Sequence, residues 1–191
     1  GGPLPDWIVP HLSSFIDNSE RAALLDRAPL DVRANLLKTT RAEIAVQLPE
    51  AEILDQSPHA MRLPTGWPVD SHPLFTSGFA EIQDLGSQVI VDACAVVPGM
   101  TVLDLCAGAG GKTLALAAAM QNSGKLIASD TNRNRLDQLP PRARRAGASC
   151  IQTLLLNPGR EIEMLSDLAN TCDLVLVDAP CSGSGTWRRN P

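Results

Sequence analysis

Asp178-Ala179-Pro180-Cys181 places a carboxylate, a rigid turn and a thiol in one short loop, a grouping that solvation alone does not require. Carbon 5 of cytosine is a poor nucleophile. A thiolate that adds to carbon 6 makes carbon 5 electron-rich enough to be methylated. A carboxylate can hold the ring's nitrogen edge meanwhile, and a base must afterwards remove the proton on carbon 5. Asp178 and Cys181 are suitable types for this work. In the competing arrangement, methyl transfer to an amino group, the acid or amide is followed by Pro-Pro and an aromatic that stacks the base. This chain has no Tyr, and Cys181 stands where that aromatic would be.

A second constellation is Asp104-Leu105-Cys106-Ala107-Gly108-Ala109-Gly110-Gly111-Lys112-Thr113, an apolar run leading into a glycine-rich turn. Three readings compete. A phosphate-cradling Gly-x-x-x-x-Gly-Lys-Thr loop needs glycine at position 106, which is Cys106. A dinucleotide fingerprint starting at Gly108 needs Gly or Ala at position 113, which is Thr113. An adenosylmethionine site asks only for Asp near the strand end, small residues in the turn, and an acid closing the next strand. Asp104, Ala107 to Gly111, and Asp130 meet it. Asp130 follows Gly111 by 19 residues, a position from which a carboxylate can accept both ribose hydroxyls. The plainer alternative is that the glycines only turn the chain and Asp130 caps the next helix.

The elements that must position these groups follow from periodicity. Thr101 to Leu105, Lys125 to Asp130, Cys150 to Leu154 and Asp173 to Asp178 read as short buried strands. Between them, Lys112 to Gln121, Arg133 to Ala146 and Glu161 to Ala169 read as helices, the second interrupted by Pro140-Pro141. Strands alternating with helices give a parallel sheet with helices on both faces, and its ligands bind beyond the strands' carboxyl ends. Upstream, Ile82, Leu85, Val89, Ile90 and Ala93 recur at helical spacing over Phe79 to Val97 and stop at Pro98-Gly99. Residues 1–70 differ in character, with amphipathic pieces at Ser19–Leu25 and Arg41–Leu48, an alternating Leu30–Asn35, and several prolines. They are expected to form a small α+β module ahead of an α/β, Rossmann-like domain spanning 71–191, whose sheet is C-terminally incomplete.

Composition narrows the class. The 191 residues are 44% hydrophobic and 19% charged, with a net charge of −5. Such a chain can bury a core, and its overall charge does not hold it to nucleic acid. No apolar run is long enough to span a membrane, and no metal-binding spacing joins His11, His59 and His72. The stretch Gly1–Trp7 has neither the charged nor the apolar region of a secretory signal, so the chain is expected to be cytoplasmic; the five cysteines are odd in number and contain no Cys-x-x-Cys pair, so they are read as reduced. Cys94, Cys150 and Cys172 are read as buried small hydrophobes, not reactive thiols. A monomer is expected.

These motifs, together with Arg188-Arg189-Asn190-Pro191, His72-Pro73, Ser77-Gly78-Phe79, Gln83-Asp84 and, more weakly, Pro29–Arg33 with Leu37-Lys38, resemble the Sun/Fmu family of RNA cytosine-5 methyltransferases. The resemblance covers most of the chain and implies an RRM-like fold for the N-terminal module. It implies that S-adenosylmethionine is held by Cys106, Ala107, Gly108, Ala109, Gly110, Gly111, Lys112 and Asp130, with Asp178 between cofactor and base. Lys112 would orient the base or Asp178, and Cys181 would assist product release. RNA, ribosomal RNA above all, is the implied partner. Three positions depart from the family pattern. The attacking thiol belongs to a Thr-Cys-Ser motif that these 191 residues lack, so this piece alone is expected to be inactive. Leu156-Asn157-Pro158 stands where the family has an acidic adenine contact, leaving Asn157 to bond the adenine amino group. Gly108-Ala109 replaces the family's common Ala-Pro.

Two residue groups remain. Arg133, Arg135, Arg142, Arg144 and Arg145 are expected to be a solvated helix face, whereas Arg188-Arg189, next to Trp187, suit RNA phosphates. A function of another class, a nucleoside- or RNA-binding assembly factor without catalysis, is consistent with the missing thiol motif.

Overall fold

A computed structural model describes residues 4, 6–23, 27–69 and 71–180. The described residues divide into two compact units, a larger one within 30–179 and a smaller one that contains residues 6–23. In the smaller unit, α1 (Asn18–Ala23) starts where Asp17 Oδ1 accepts from the backbone N–H groups of Ser19 and Glu20 at 2.8 and 3.0 Å. That carboxylate satisfies donors which the first helical turn leaves unpaired.

The larger unit contains two sheets. The first is antiparallel, built from β1 (Leu30–Ala34), β2 (Glu52–Ile53), β3 (Ala60–Leu63) and β4 (Ala80–Ile82) in the order β2-β3-β1-β4. α2 (Arg41–Gln47) opens with a reciprocal capping box between Thr40 and Glu43. Together with α3 (Pro73–Thr76) it closes a core of Val32, Ala34, Ile44, Leu48, Met61, Leu63, Leu74 and Phe75.

Alternation in Leu30–Asn35 predicts a half-buried strand, yet β1 is buried on both faces, with Asp31 and Arg33 under 5% exposed. α4 (Leu85–Ala93) covers the polar side: Leu85 N–H donates to Asp31 Oδ2 and Gln88 Nε2 to the Val32 carbonyl. Asp31 is paired with Arg62 at 2.7 Å, and Arg33 Nε donates to the neutral amide oxygen of Gln83 at 2.7 Å, so both buried charged groups are hydrogen-bonded, as burial demands. The helical spacing from Phe79 onward is correct only after residue 84. Ala80–Ile82 instead pairs with β1, in register Val32 to Ile82, because an edge of β1 offers it a hydrogen-bond ladder.

The second sheet is parallel: β5 (Thr101–Asp104), β6 (Lys125–Asp130), β7 (Ile151–Leu155) and β8 (Leu174–Leu176), ordered β7-β6-β5-β8. Flanking it are α5 (Gly111–Ala119), α6 (Arg133–Leu136), α7 (Leu139–Ala146) and α8 (Glu161–Met164). This is the Rossmann-like α/β sheet that the strand and helix pattern predicts. Pro140 and Pro141 do not interrupt a helix; they fall in the first turn of α7, where a missing N–H costs nothing. The expected helix Glu161–Ala169 divides into α8 and a 3-10 turn at Ser166–Leu168. Strand order reverses at β5, so the crevice at the carboxyl ends of β5 and its neighbours is where this architecture receives a ligand. No helix among the described residues is long and apolar enough to cross a membrane.

Candidate active site at the carboxyl edge of the parallel sheet

Each group reaches this edge through a local constraint. Beyond β5 the chain turns twice through the left-handed region, at Gly108 (φ +55°) and Gly110 (φ +85°), and Gly110 then caps α5. A Cβ at Gly110 would run into the Leu139 side chain, whereas Gly108 and Gly111 face open space. The loop is therefore tight against α7 on one side and bare backbone on the other. Ala107 N–H donates to the Ser129 carbonyl at 2.9 Å, and Ser129 Oγ donates to the carbonyls of Asp104 and Leu105. These bonds hold the loop against β6.

Asp130 closes β6 and accepts the Gly108 N–H on Oδ2 at 2.7 Å and the Asn132 N–H on Oδ1 at 2.7 Å. It does not cap α6; Asn132 does, accepting from the Arg135 N–H. Each Asp130 oxygen retains a second lone pair for a hydroxyl donor.

Lys112, in the first turn of α5, donates to Asp178 Oδ2 at 2.6 Å and to Ser87 Oγ at 3.2 Å. Asp178 follows β8, whose pairing with β5 sets Leu176 beside Asp104. The Lys112 side chain is 14% exposed and that of Asp178 is 50%, so the carboxylate meets solvent while its cation is recessed. Asp104 is 1% exposed, with Oδ2 accepting from Thr113 Oγ1 at 2.6 Å and no partner for Oδ1 among the described residues. Burial pushes its pKa up to about 6, against the Thr113 bond and Lys112, which pull it down. Cys106 is partly exposed and, with burial and the nearby carboxylates disfavouring its thiolate, its pKa is raised. Asp104, Asp130 and Asp178 thus give the edge an acidic field with one lysine in it, complementary to a ligand carrying positive charge.

Of the residues singled out by sequence, the structure brings together Cys106 to Lys112, Asp130 and Asp178. Asn157 lies just past β7, whose next residue Leu156 donates to the Asp130 carbonyl; its side chain is exposed, and its own N–H donates to Met164 Sδ. Cys181, Trp187 and Arg188-Arg189 lie outside the described residues. Cys94, Cys150 and Cys172 are half-buried and not fully buried as expected, with Cys94 and Cys150 packed against an apolar cluster. Ser87 and Thr113 escaped the sequence reading as site residues. Thr113 could have been found from its helical position one residue after Lys112, but nothing local marks Ser87, which is 25 residues upstream of its partner. The basic residues of α7 are not uniformly solvated: Arg142 donates to the Ala109 carbonyl at 2.7 Å, and Arg142 and Arg145 both pair with Glu81.

Comparisons with known proteins converge on one family. The family described as 16S rRNA methyltransferase RsmB/F matches residues 89–191. The chain is 32% identical to a probable ribosomal RNA small subunit methyltransferase B of Synechocystis, over 98% of the chain and 44% of that protein. It is 37% identical to the 26S rRNA (cytosine-C(5))-methyltransferase nsun-1 of Caenorhabditis elegans, over 84% of the chain and 25% of that protein. The chain therefore spans less than half the length of these curated relatives. Among solved structures, a methyltransferase homolog protein from Pyrococcus horikoshii superposes with a TM-score of 0.78 at 28% identity, covering 88% of this chain and 56% of that one.

Proposed function

The chain belongs to the 16S rRNA methyltransferase RsmB/F family, and from that premise we propose that it carries the S-adenosylmethionine pocket and part of the base-facing edge of an enzyme that methylates carbon 5 of cytosine in RNA. The observation that carries this reading is the Lys112–Asp178 pair, 2.6 Å between the first turn of α5 and the segment after β8, beside a glycine loop held by Asp130.

The residues present fit the cofactor. Gly108 and Gly111 leave open a space that any Cβ would begin to fill, so ligand can approach the backbone. The acidic edge complements a sulfonium centre and an ammonium group. When bound, S-adenosylmethionine supplies an electrophilic methyl group. Cys106 to Gly111 would hold it, with Asp130 accepting from the ribose hydroxyls and Asn157 accepting from the adenine amino group. Lys112 orients Asp178, and Ser87 Oγ accepts a second hydrogen bond from the same ammonium. Asp178 then holds the nitrogen edge of the target cytosine, turned out of its stack at a cost of about a few kcal/mol. Cys181 is assigned to product release. The attacking thiol is assigned to the Thr-Cys-Ser motif absent from these 191 residues, so the chemistry belongs to the full-length protein.

The test is calorimetric titration of the full-length protein with S-adenosylhomocysteine, ATP and NAD, followed by mass spectrometry of RNA incubated with methyl-labelled cofactor. Saturable binding of the first ligand alone, with label on cytosine carbon 5, is the expected result. Binding of ATP or NAD in its place, or label on a base amino group, would reject the proposal.

A further inference from the structure

The arginines of α7 build a site that the methyl-transfer chemistry leaves unused. Glu81 on β4 is 5% exposed, and each of its oxygens takes one guanidinium: Oε2 that of Arg142 at 2.9 Å, Oε1 that of Arg145 at 2.6 Å. Arg142 is fixed again through its other terminal nitrogen, which donates to the Ala109 carbonyl at 2.7 Å. The two arginines border a cavity of about 220 Å³ whose remaining wall includes Val69, Phe75, Thr76 and Ile82.

Two guanidiniums against one carboxylate leave a surplus positive charge at this cavity. Of the N–H donors on each side chain, Arg142 commits two and Arg145 one to described residues, so both keep donors for a ligand. A guanidinium already pinned by a buried carboxylate has little freedom left to lose, and its planar fork matches the oxygens of a phosphate group. The apolar wall weakens solvent screening of that contact. The chain as a whole carries −5, so its net charge repels a polyanion and attraction must come from such local sites.

We infer that Arg142 and Arg145 form a subsite for a backbone phosphate of the RNA substrate. This rests on the reading of the protein as an RNA methyltransferase. Because Arg142 also holds Ala109, the subsite is joined to the glycine loop by one side chain.

The test measures equilibrium binding of the full-length protein to a labelled ribosomal RNA fragment over a series of salt concentrations, with calorimetry against S-adenosylhomocysteine in parallel. Arg145→Gln is expected to weaken RNA binding about tenfold and to lower the slope of log Kd against log salt by about 0.7, leaving S-adenosylhomocysteine affinity unchanged. Arg145→Lys, which keeps the charge, should retain the slope. Thr76→Glu alters an exposed side chain and breaks no bond to Glu81, so it serves if Arg145→Gln does not fold; the same two losses are expected. RNA affinity and salt slope equal to wild type in a folded Arg145→Gln or Thr76→Glu variant would overturn the inference, as would an equal loss of slope in Arg145→Lys. Wild-type protein that binds RNA but not S-adenosylhomocysteine would count against the methyltransferase reading alone.

Discussion

Thr113 Oγ1 donates to Asp104 Oδ2 over 2.6 Å, and that bond ties the first turn of α5 to the carboxyl end of β5. Asp104 is almost wholly buried, so its carboxylate depends on this donor. Thr113→Val keeps the shape and removes the donor. It should destabilise the fold by about 1–3 kcal/mol and push the Asp104 pKa further up, readable as a lower urea midpoint at pH 7.5.

The Asp104 pKa is raised from 3.8 to about 6 in the folded protein, which sets a pH dependence of definite sign. Between those values the folded state holds the proton more tightly than the unfolded chain. Stability from this group is therefore complete below pH 3.8 and is lost as pH rises through about 6, by about 3 kcal/mol in order of magnitude. Asp104→Asn should flatten that decline. Urea unfolding of both proteins at several pH values in this window checks it, and parallel curves would refute it.

Asp130→Ala removes the acceptor for the Gly108 N–H and the proposed ribose contacts. S-adenosylhomocysteine binding should weaken by about 1–3 kcal/mol, measured by calorimetry on a variant whose circular dichroism is native. Unchanged affinity would take Asp130 out of the pocket.

Gly110 combines φ +85° with a Cβ position blocked by Leu139. Gly110→Ala incurs both backbone strain and overpacking, and should cost about 2–5 kcal/mol. Thermal unfolding tests this; a melting temperature equal to wild type would mean that the loop can turn in some other way.

Cys181→Ala in the full-length protein should let a covalent RNA–protein adduct accumulate, since attack is intact and release is impaired. A denaturing gel that shows normal turnover and no adduct would remove that role from Cys181.

Ser87 and Arg142 mark the limit of what the sequence reveals about the site. Strands β5, β6 and β8 and the turn at Gly108–Gly111 leave clear marks, because buried strands are short apolar runs and a left-handed turn needs glycine. Asp130 and Asp178 were legible because each ends such a run. Ser87 and Arg142 were not, because a serine or arginine in a helix has the same local pattern whether it bonds a distant lysine or water.

Local periodicity and residue type by themselves determined the parallel sheet, the glycine loop and which carboxylates lie at its edge. Only the tertiary structure decided that Ala80–Ile82 pairs with β1, that Pro140 and Pro141 begin α7, and that Glu81 gathers Arg142 and Arg145 from more than 60 residues away. The reason is physical: strand pairing and charge pairing are settled by which buried donors and acceptors remain unsatisfied when the layers meet, and that competition has no period along the chain.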